Sequence, residues 1–392
     1  MSNPLALKDL NDIGESDFLE LVTGAVHEGR EIDYKSDLPG NSDAEKKEFL
    51  ADVSSLANTS GGDLIYGVRE DAGLPTSVDG FALSDPDESV RRLDSIIITG
   101  LEPRIPNVAI GRVHLTTGKW CIVVRVPRSW LGPHRVTFKE HSKFYARNSA
   151  GKYPMDVDEL RTAFTTAQSI IQGVRGFRRD RLAMIAAGET PARLESGPKV
   201  VLHVVPLRVS DPARTLDVAA LWEQRANLLP LGSGADGGHL NLEGYIAASR
   251  ASTLSSATLS YVQAFRNGSI ETVDTDTLSH KSDGWSYIPG RAFEKDLIQG
   301  ITRYLRALQA LAVEPPLYVM LSLLDVRGYR LFTADGLSQV QIELAELLFP
   351  EVVVGAYGRE ADALLRPLLD ALWNTFGSLR CPNYDGSGRW HP

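Results

Sequence analysis

Cysteine is scarce in this 392-residue chain. Cys121 and Cys381 are the only two, and they stand far apart in sequence. No disulfide framework can be built from them, and a reducing, cytoplasmic setting is expected. They form no Cys-x-x-Cys pair, and the scattered histidines, His239, His280 and His391 among them, show no metal-ligand spacing. A zinc site is therefore not expected. No apolar run reaches the roughly 18 residues that would mark a transmembrane helix, so no membrane span is expected. The opening MSNPLALKDL has neither the basic nor the apolar region of a secretory signal. Gly118-Lys119 is followed by Trp120 and lacks a preceding Gly at the right distance, which rejects a P-loop. Gly-x-Ser-x-Gly is absent too, and no nucleophile triad can be argued. There is no internal repeat and no low-complexity stretch.

What is present reads as an ordinary globular chain. Hydrophobic residues make up 43% and charged residues 23%, which is usual for folded proteins, and the length allows two domains with real cores. The net charge of −9 argues against a general nucleic-acid binder. Its distribution says more. Residues 1–100 hold 21 Asp and Glu against 8 Lys and Arg, a net of −13. Residues 101–152 hold Arg104, Arg112, Lys119, Arg125, Arg128, Arg135, Lys139, Lys143, Arg147 and Lys152 against Glu102 and Glu140, a net of +8. This is either a polyanion footprint beside an acidic site or a set of strands carrying cations on a wet face.

The stretch from Glu28 to Asp71 organises the first half. Ile32 and Tyr34 alternate with Glu31, Asp33 and Lys35, which predicts a strand with an apolar and a polar face. Ser42-x-x-Glu45 is a capping box. Phe49, Val53, Leu56 and Ala57 then form one apolar helix face. Gly61 and Gly62 are expected to close that helix, and Leu64 to Val68 reads as a buried strand. Ser16 is expected to cap a helix reaching Val26. Asp85-Pro86 starts another reaching about Leu101. Val108–Leu115 and Trp120–Val126 predict a hairpin, followed by short strands at His134–Phe138 and Lys143–Arg147. Helices are expected from Val157 to about Ile171 and from Phe177 to Ala187. Later, Tyr261–Arg266, Asn267-Gly268 and Ser269–Val273 give a strong hairpin signal. A helix from Phe293 to Leu311, a buried strand Leu317–Leu324 and helices near Leu337–Leu348 and Leu364–Phe376 complete the pattern. The organisation read from this is a flexible arm (1–15), a domain (16–173), a linker helix and loop (174–197), a second α/β domain (198–380) and a frayed tail (381–392).

Glu28-x4-Asp33-x-Lys35, followed by Leu56-Ala57-Asn58-Thr59-x-Gly61-Gly62-x-Leu64-Ile65-x-Gly67-Val68, resembles the AlbA-like domain of the Schlafen family. Lys143-Phe-Tyr-Ala-Arg147-Asn148 is similar to that family's Tyr-x-Arg strand. The likeness spans about residues 14–165. It departs at Asp33, where the family more often has Glu, and at Glu70-Asp71, where it has Asp. The resemblance implies an α/β (α+β) fold with a mixed sheet and flanking helices. It also implies binding of RNA or DNA.

Family members that are RNases place three acidic residues at these motif positions, which here are Glu28, Asp33 and Glu70, with Asp71 as fallback. Such carboxylates would hold Mg²⁺ or Mn²⁺, and Lys35 would meet a phosphate. The first expectation is thus a metal-dependent endoribonuclease acting on structured RNA such as tRNA or rRNA, in defence or stress. The alternative is a non-catalytic DNA-binding regulator with a C-terminal sensor or oligomerisation domain. Arg128, Arg135, Lys143 and Arg147 are the candidate phosphate contacts. A plainer reading makes all of these strand-surface charges paired locally. Each motif occurs once, whereas animal Schlafen proteins resemble two packed copies, so a homodimer is expected.

Overall fold

The alternation at Ile32–Lys35 does build a strand, and the computed structural model shows what each face meets. It describes residues 3–391 apart from 208, 210–214, 233, 251–256 and 283. Two units divide the chain, residues 1–169 and 170–392. The elements of the first are α1 (Glu15–Thr23), β1 (Ile32–Lys35), α2 (Asp43–Ala57), β2 (Gly61–Tyr66), β3 (Val68–Asp71), β4 (Leu74–Val78), α3 (Pro86–Gly100), β5 (Leu101–Glu102), β6 (Ala109–His114), β7 (Trp120–Pro127), β8 (Arg135–Val136), β9 (Lys143–Asn148) and β10 (Gly151–Pro154). The helix α4 (Val157–Ala187) begins in this unit and ends in the next.

One sheet has the order β1-β2-β7-β6, with β1 parallel to β2 and the other pairs antiparallel. A second has the order β10-β9-β8-β5. Ile32 and Tyr34 point to a core with Phe18 and Leu21 of α1. Leu64, Tyr66, Ile122 and Val124 face the other way, onto Phe49, Val53 and Leu56 of α2. Asp33 pairs with Leu64 and Lys35 with Tyr66 in register, so these two charged side chains lie on the α2 face of the sheet.

Helix α2 is buried continuously from Phe49 to Ala57, and it contacts strands of both sheets. Its start follows the capping box: Ser42 Oγ accepts from Glu45 N at 3.3 Å and Glu45 Oε2 accepts from Ser42 N at 3.3 Å. Its end does not use the glycine pair. Gly61 and Gly62 open β2 with φ of 76° and 145°. A side chain at Gly62 would sit 2.3 Å from the Glu31 carbonyl, and one at Gly61 would sit 2.5 Å from Arg128 N. The glycines let β2 approach both neighbours, which a Cβ would prevent.

Three other expectations change. Ser16 does not cap α1; Gly14 does, with the Asp17 carboxylate accepting from its N–H at 2.9 Å. Residues 3–13 are not a loose arm, because Leu5 and Ile13 are buried in the α1 core and Asn3 Nδ2 donates to Asp63 Oδ2 at 2.7 Å. The two helices expected around residues 171–177 are one continuous helix, α4.

In the second unit the elements are β11 (Lys199–Pro206), α5 (Val218–Glu223), β12 (Gly237–Asn241), β13 (Gly244–Arg250), β14 (Thr258–Phe265), β15 (Ile270–Asp274), β16 (Lys281–Ser282), β17 (Trp285–Pro289), α6 (Gly290–Ala310), β18 (Leu317–Leu324), β19 (Arg330–Thr333), β20 (Gly336–Leu337), β21 (Glu346–Leu348), β22 (Val352–Val354) and α7 (Ala361–Asn374). An eight-stranded sheet runs β12-β13-β14-β15-β11-β18-β21, with β22 also on β18. Val200, Leu202 and Val204 pack with α6 and α7. The alternate residue Val201 packs with Ile185 of α4. The hairpin at Asn267-Gly268 forms as predicted.

The region 337–348 is not helical, since Leu347 and Leu348 pair with β18 as an edge strand. The tail is not frayed either. Asn383 Nδ2 and Trp390 Nε1 donate to Glu294 Oε2 at 2.9 and 2.5 Å, and Trp373 Nε1 donates to Oε1 at 2.7 Å. A fully buried carboxylate needs such donors, and the tail supplies two of them.

Candidate functional site

Asp33 and Lys35 leave β1 toward α2, and β9 brings Arg147 to the same place. Asp33 is 3% exposed, so the wet face expected for it is in fact interior. Lys35 Nζ donates to its Oδ1 at 2.9 Å and Arg147 Nη1 to its Oδ2 at 2.7 Å. Arg147 Nε also donates to the Gly29 carbonyl at 2.8 Å. Burial would raise the Asp33 carboxyl, but the charges of Arg147 and Lys35 hold it below the usual range.

The Asn58-Thr59 motif explains how β9 is held there. Asn58 Nδ2 donates to the His134 and Tyr145 carbonyls at 3.0 and 2.9 Å, and its Oδ1 accepts from His134 N at 2.7 Å. Thr59 Oγ1 accepts from Arg147 N at 3.0 Å. The motif is a positioning clip between the end of α2 and the second sheet.

Glu28 is half-buried beside this pair. Its Oε1 accepts from Tyr34 N at 2.7 Å. Burial pushes its pKa up to about 7; the Tyr34 N–H opposes the rise, and the neighbouring Asp33 adds to it. Sequence reasoning missed Asp52 and Lys152. Asp52 lies on α2, 2% exposed, and Lys152 Nζ donates to its Oδ1 at 2.6 Å. Burial raises the Asp52 carboxyl, while Lys152 opposes the rise. Burial alone would lower the Lys35 ammonium, but the charges of Asp33, Asp52 and Glu28 raise it. The only available sequence signal was that Asp52 is the one charged residue between Phe49 and Ala57.

Glu70 and Asp71 do not join this cluster. Both are exposed on β3. The Glu70 carboxylate accepts from Gly73 N at 2.6 Å and so closes the β3–β4 turn. That turn docks through the Gly73 carbonyl, which accepts from Glu28 N at 2.7 Å. A divalent ion needs several uncommitted oxygens. Both Asp33 oxygens are taken by cations, and Glu28 and Glu70 each hold a backbone N–H. Among the described residues no group of three or more His, Cys, Asp or Glu side chains could hold a metal ion. The three carboxylates Glu28, Asp33 and Asp52 are instead balanced by Lys35, Arg147 and Lys152, and Mg²⁺ or Mn²⁺ does not fit this donor set.

The basic stretch finds most of its partners in the acidic one. Arg112 pairs with Asp87, Arg125 with Asp63, Lys139 with Asp43, Arg147 with Asp33, and Lys152 with Glu48 and Asp52. Arg135 pairs with Glu102 at 2.7 Å. Arg147 is interior, so it is a structural cation and not a phosphate contact. Lys143 is exposed on β9. Arg128, exposed just beyond β7, places its guanidinium 3.8 Å above the Trp130 ring.

The first unit is therefore a mixed α/β domain built around a compensated interior charge cluster. Residues 28–156 match the family model described as Schlafen, AlbA_2. Residues 157–392 lie outside the match. No curated protein matches the chain. Solved structures that resemble part of it include the following two. The DIP2311 protein from Corynebacterium diphtheriae is 19% identical over 35% of this chain and 26% of its own, with a TM-score of 0.25. The N-terminal domain of a RecG-related protein from Nitrosomonas europaea is 23% identical over 35% of this chain and 88% of its own, with a TM-score of 0.26. The match thus spans about a quarter of the length of the first. Likeness at these scores is too low to place any residue. Among the described residues no helix is long and apolar enough to cross a membrane.

Proposed function

We propose that the first unit binds nucleic acid, with the buried cluster serving as its scaffold. The observation that carries this reading is the Schlafen AlbA_2 match over residues 28–156. Exposed Lys143 and the Arg128–Trp130 stack support it, because a cation beside an aromatic face suits phosphate and base together. The net charge of −9 and the internal pairing of most cations favour few phosphate contacts over a broad footprint. Fluorescence anisotropy with labelled single-stranded RNA, single-stranded DNA and duplex tests it. With two phosphates contacted, log affinity should fall with log salt at a slope of about −1.4 on single strands. Arg128→Ala with Lys143→Ala should abolish most of the slope. Absence of binding at low salt would refute the proposal.

Divalent-metal cleavage is left out of it because Asp33 is saturated by Lys35 and Arg147. That choice is also testable. Incubation with tRNA, rRNA and DNA, with Mn²⁺ or EDTA, should give no metal-dependent cutting. Cutting that Glu28→Ala with Asp33→Ala abolishes would restore the endoribonuclease reading. A homodimer belongs to the same proposal, since this chain carries each motif once and two-fold dimers are the commonest closed assembly. Light scattering at micromolar concentration decides it.

A further inference from the structure

Beside the charge cluster, between β1, β2 and the first half of α2, the first unit holds an open cavity of about 460 Å³. That volume lies in the range of small-molecule sites, roughly 300–1,000 Å³. Its walls include Leu38, Phe49 and Tyr66. Phe49 and Tyr66 meet edge to face with centroids 6.3 Å apart, which sets a flat aromatic corner.

Three polar side chains line this corner. Tyr66 is 3% exposed and lines the cavity, and its hydroxyl can both donate and accept a hydrogen bond. Asp52 is 2% exposed. Lys152 donates to its Oδ1, and Asp52 lines the same cavity. Lys35 gives one hydrogen to Asp33 and keeps two more.

We infer that this cavity receives one unpaired nucleobase of a bound strand, with Phe49 and Tyr66 against its faces and edges and with Asp52, Lys35 and the Tyr66 hydroxyl on its polar rim. The inference rests on the proposed nucleic-acid binding of the same unit. The chemistry fits a base better than a phosphate. A nucleobase edge presents adjacent donors and acceptors, and carboxylate, ammonium and hydroxyl groups complement both. Enzymes and binders that take a base out of its stack read it by this combination of apolar walls and edge hydrogen bonds. Phosphate is disfavoured because Asp37, Glu45 and Glu48 also line the cavity and would repel it. The sugar–phosphate chain must then stay outside.

The test uses the full chain. Wild-type protein is titrated by calorimetry with adenosine, guanosine, cytidine and uridine, and with adenosine monophosphate and spermidine as controls. In parallel, anisotropy measures single-stranded and duplex RNA. Ala44 is exposed in the first turn of α2 and lines the cavity, so Ala44→Phe fills it without disturbing the core. Tyr66→Phe removes only the hydroxyl.

At least one nucleoside should bind, the monophosphate more weakly. Ala44→Phe should lose nucleoside binding and weaken single strands at least fivefold, with duplex affinity and thermal stability unchanged. Tyr66→Phe should weaken the nucleoside about fivefold, as for one hydrogen bond. Strand binding that persists without any nucleoside binding would overturn the pocket and leave the domain reading standing. Nucleosides that bind while Ala44→Phe leaves strand affinity untouched would overturn the assignment to a bound strand. Spermidine binding in place of nucleosides would make the cavity a cation site and overturn it as well. Failure of both strands and nucleosides would remove the domain reading and this inference together.

Discussion

Replacing Arg147 by Met distinguishes a structural cation from a phosphate contact. Arg147 is 5% exposed. It gives one hydrogen bond to the Gly29 carbonyl and one to Asp33 Oδ2. Met keeps much of the apolar stem and removes both donors. Breaking a buried ion pair on one side costs about 3–5 kcal/mol, because the other charge stays buried. Here Lys35 still holds Asp33 Oδ1 at 2.9 Å, so the lower end, about 3 kcal/mol, is expected. In a unit of residues 1–169 that corresponds to a melting shift of roughly 6–12 °C. Adding Asp33→Asn to Arg147→Met removes the stranded charge and should recover on the order of 1–2 kcal/mol, a coupling that a double-mutant cycle measures. Scanning calorimetry reads the melting shift, and anisotropy reads nucleic-acid affinity on the same samples. A variant of unchanged stability with tenfold weaker binding would refute the structural role and return Arg147 to the phosphate surface.

The other expectations follow from the same groups. Unfolded Glu28 releases its proton near 4.5 and folded Glu28 near 7, so the folded state binds more protons between these values. Its contribution is present below about pH 4.5 and is lost as pH rises through 7. The full shift is worth about 3 kcal/mol, which solvent screening at a half-buried site reduces to roughly 1–2 kcal/mol. Glu28→Gln should therefore be more stable than wild type by that amount at pH 8 and equal to it at pH 4.5; equal urea midpoints at both would count against the raised value. In the second unit, Glu271 is fully buried and held by Arg181, His203 and Tyr261 at 2.8, 2.9 and 2.8 Å. Burial would raise its pKa, but the hydrogen bonds of Arg181 and His203 bring it down to about 2. Its contribution holds above about pH 4.5 and is lost as pH falls toward 2. Arg181→Met should cost about 3–5 kcal/mol at neutral pH and move acid unfolding to higher pH, as followed by circular dichroism. Trp390→Phe removes one donor from buried Glu294 and should cost about 2 kcal/mol, read as an earlier second-unit transition; no change would mean that the tail does not help satisfy that carboxylate.

Local pattern in the sequence was enough for the strand at Ile32–Lys35, the capping box at Ser42, the hairpins at residues 109–127 and 258–274, and the motif series that marks the Schlafen AlbA_2 domain. These features depend on side-chain period, cap chemistry and turn residues within a few positions of one another, so a single chain displays them. Tertiary structure decided everything that depends on partners far along the chain. Arg147 meets Asp33 across 114 positions, Lys152 meets Asp52 across 100, and Arg125 meets Asp63 across 62. The acidic first hundred residues and the basic stretch after them therefore looked like a site and a footprint, yet Arg112, Arg125, Lys139, Arg147 and Lys152 of the basic stretch take counter-ions from the acidic one. Asp33 read as exposed because strand alternation separates two faces without saying which is wet; α2 and β9 cover the polar one. The glycine pair read as a helix cap because left-handed backbone serves a helix end and a close strand approach equally well. Only the position of the Glu31 carbonyl, 2.3 Å from where a Gly62 side chain would begin, shows which use this fold makes of it.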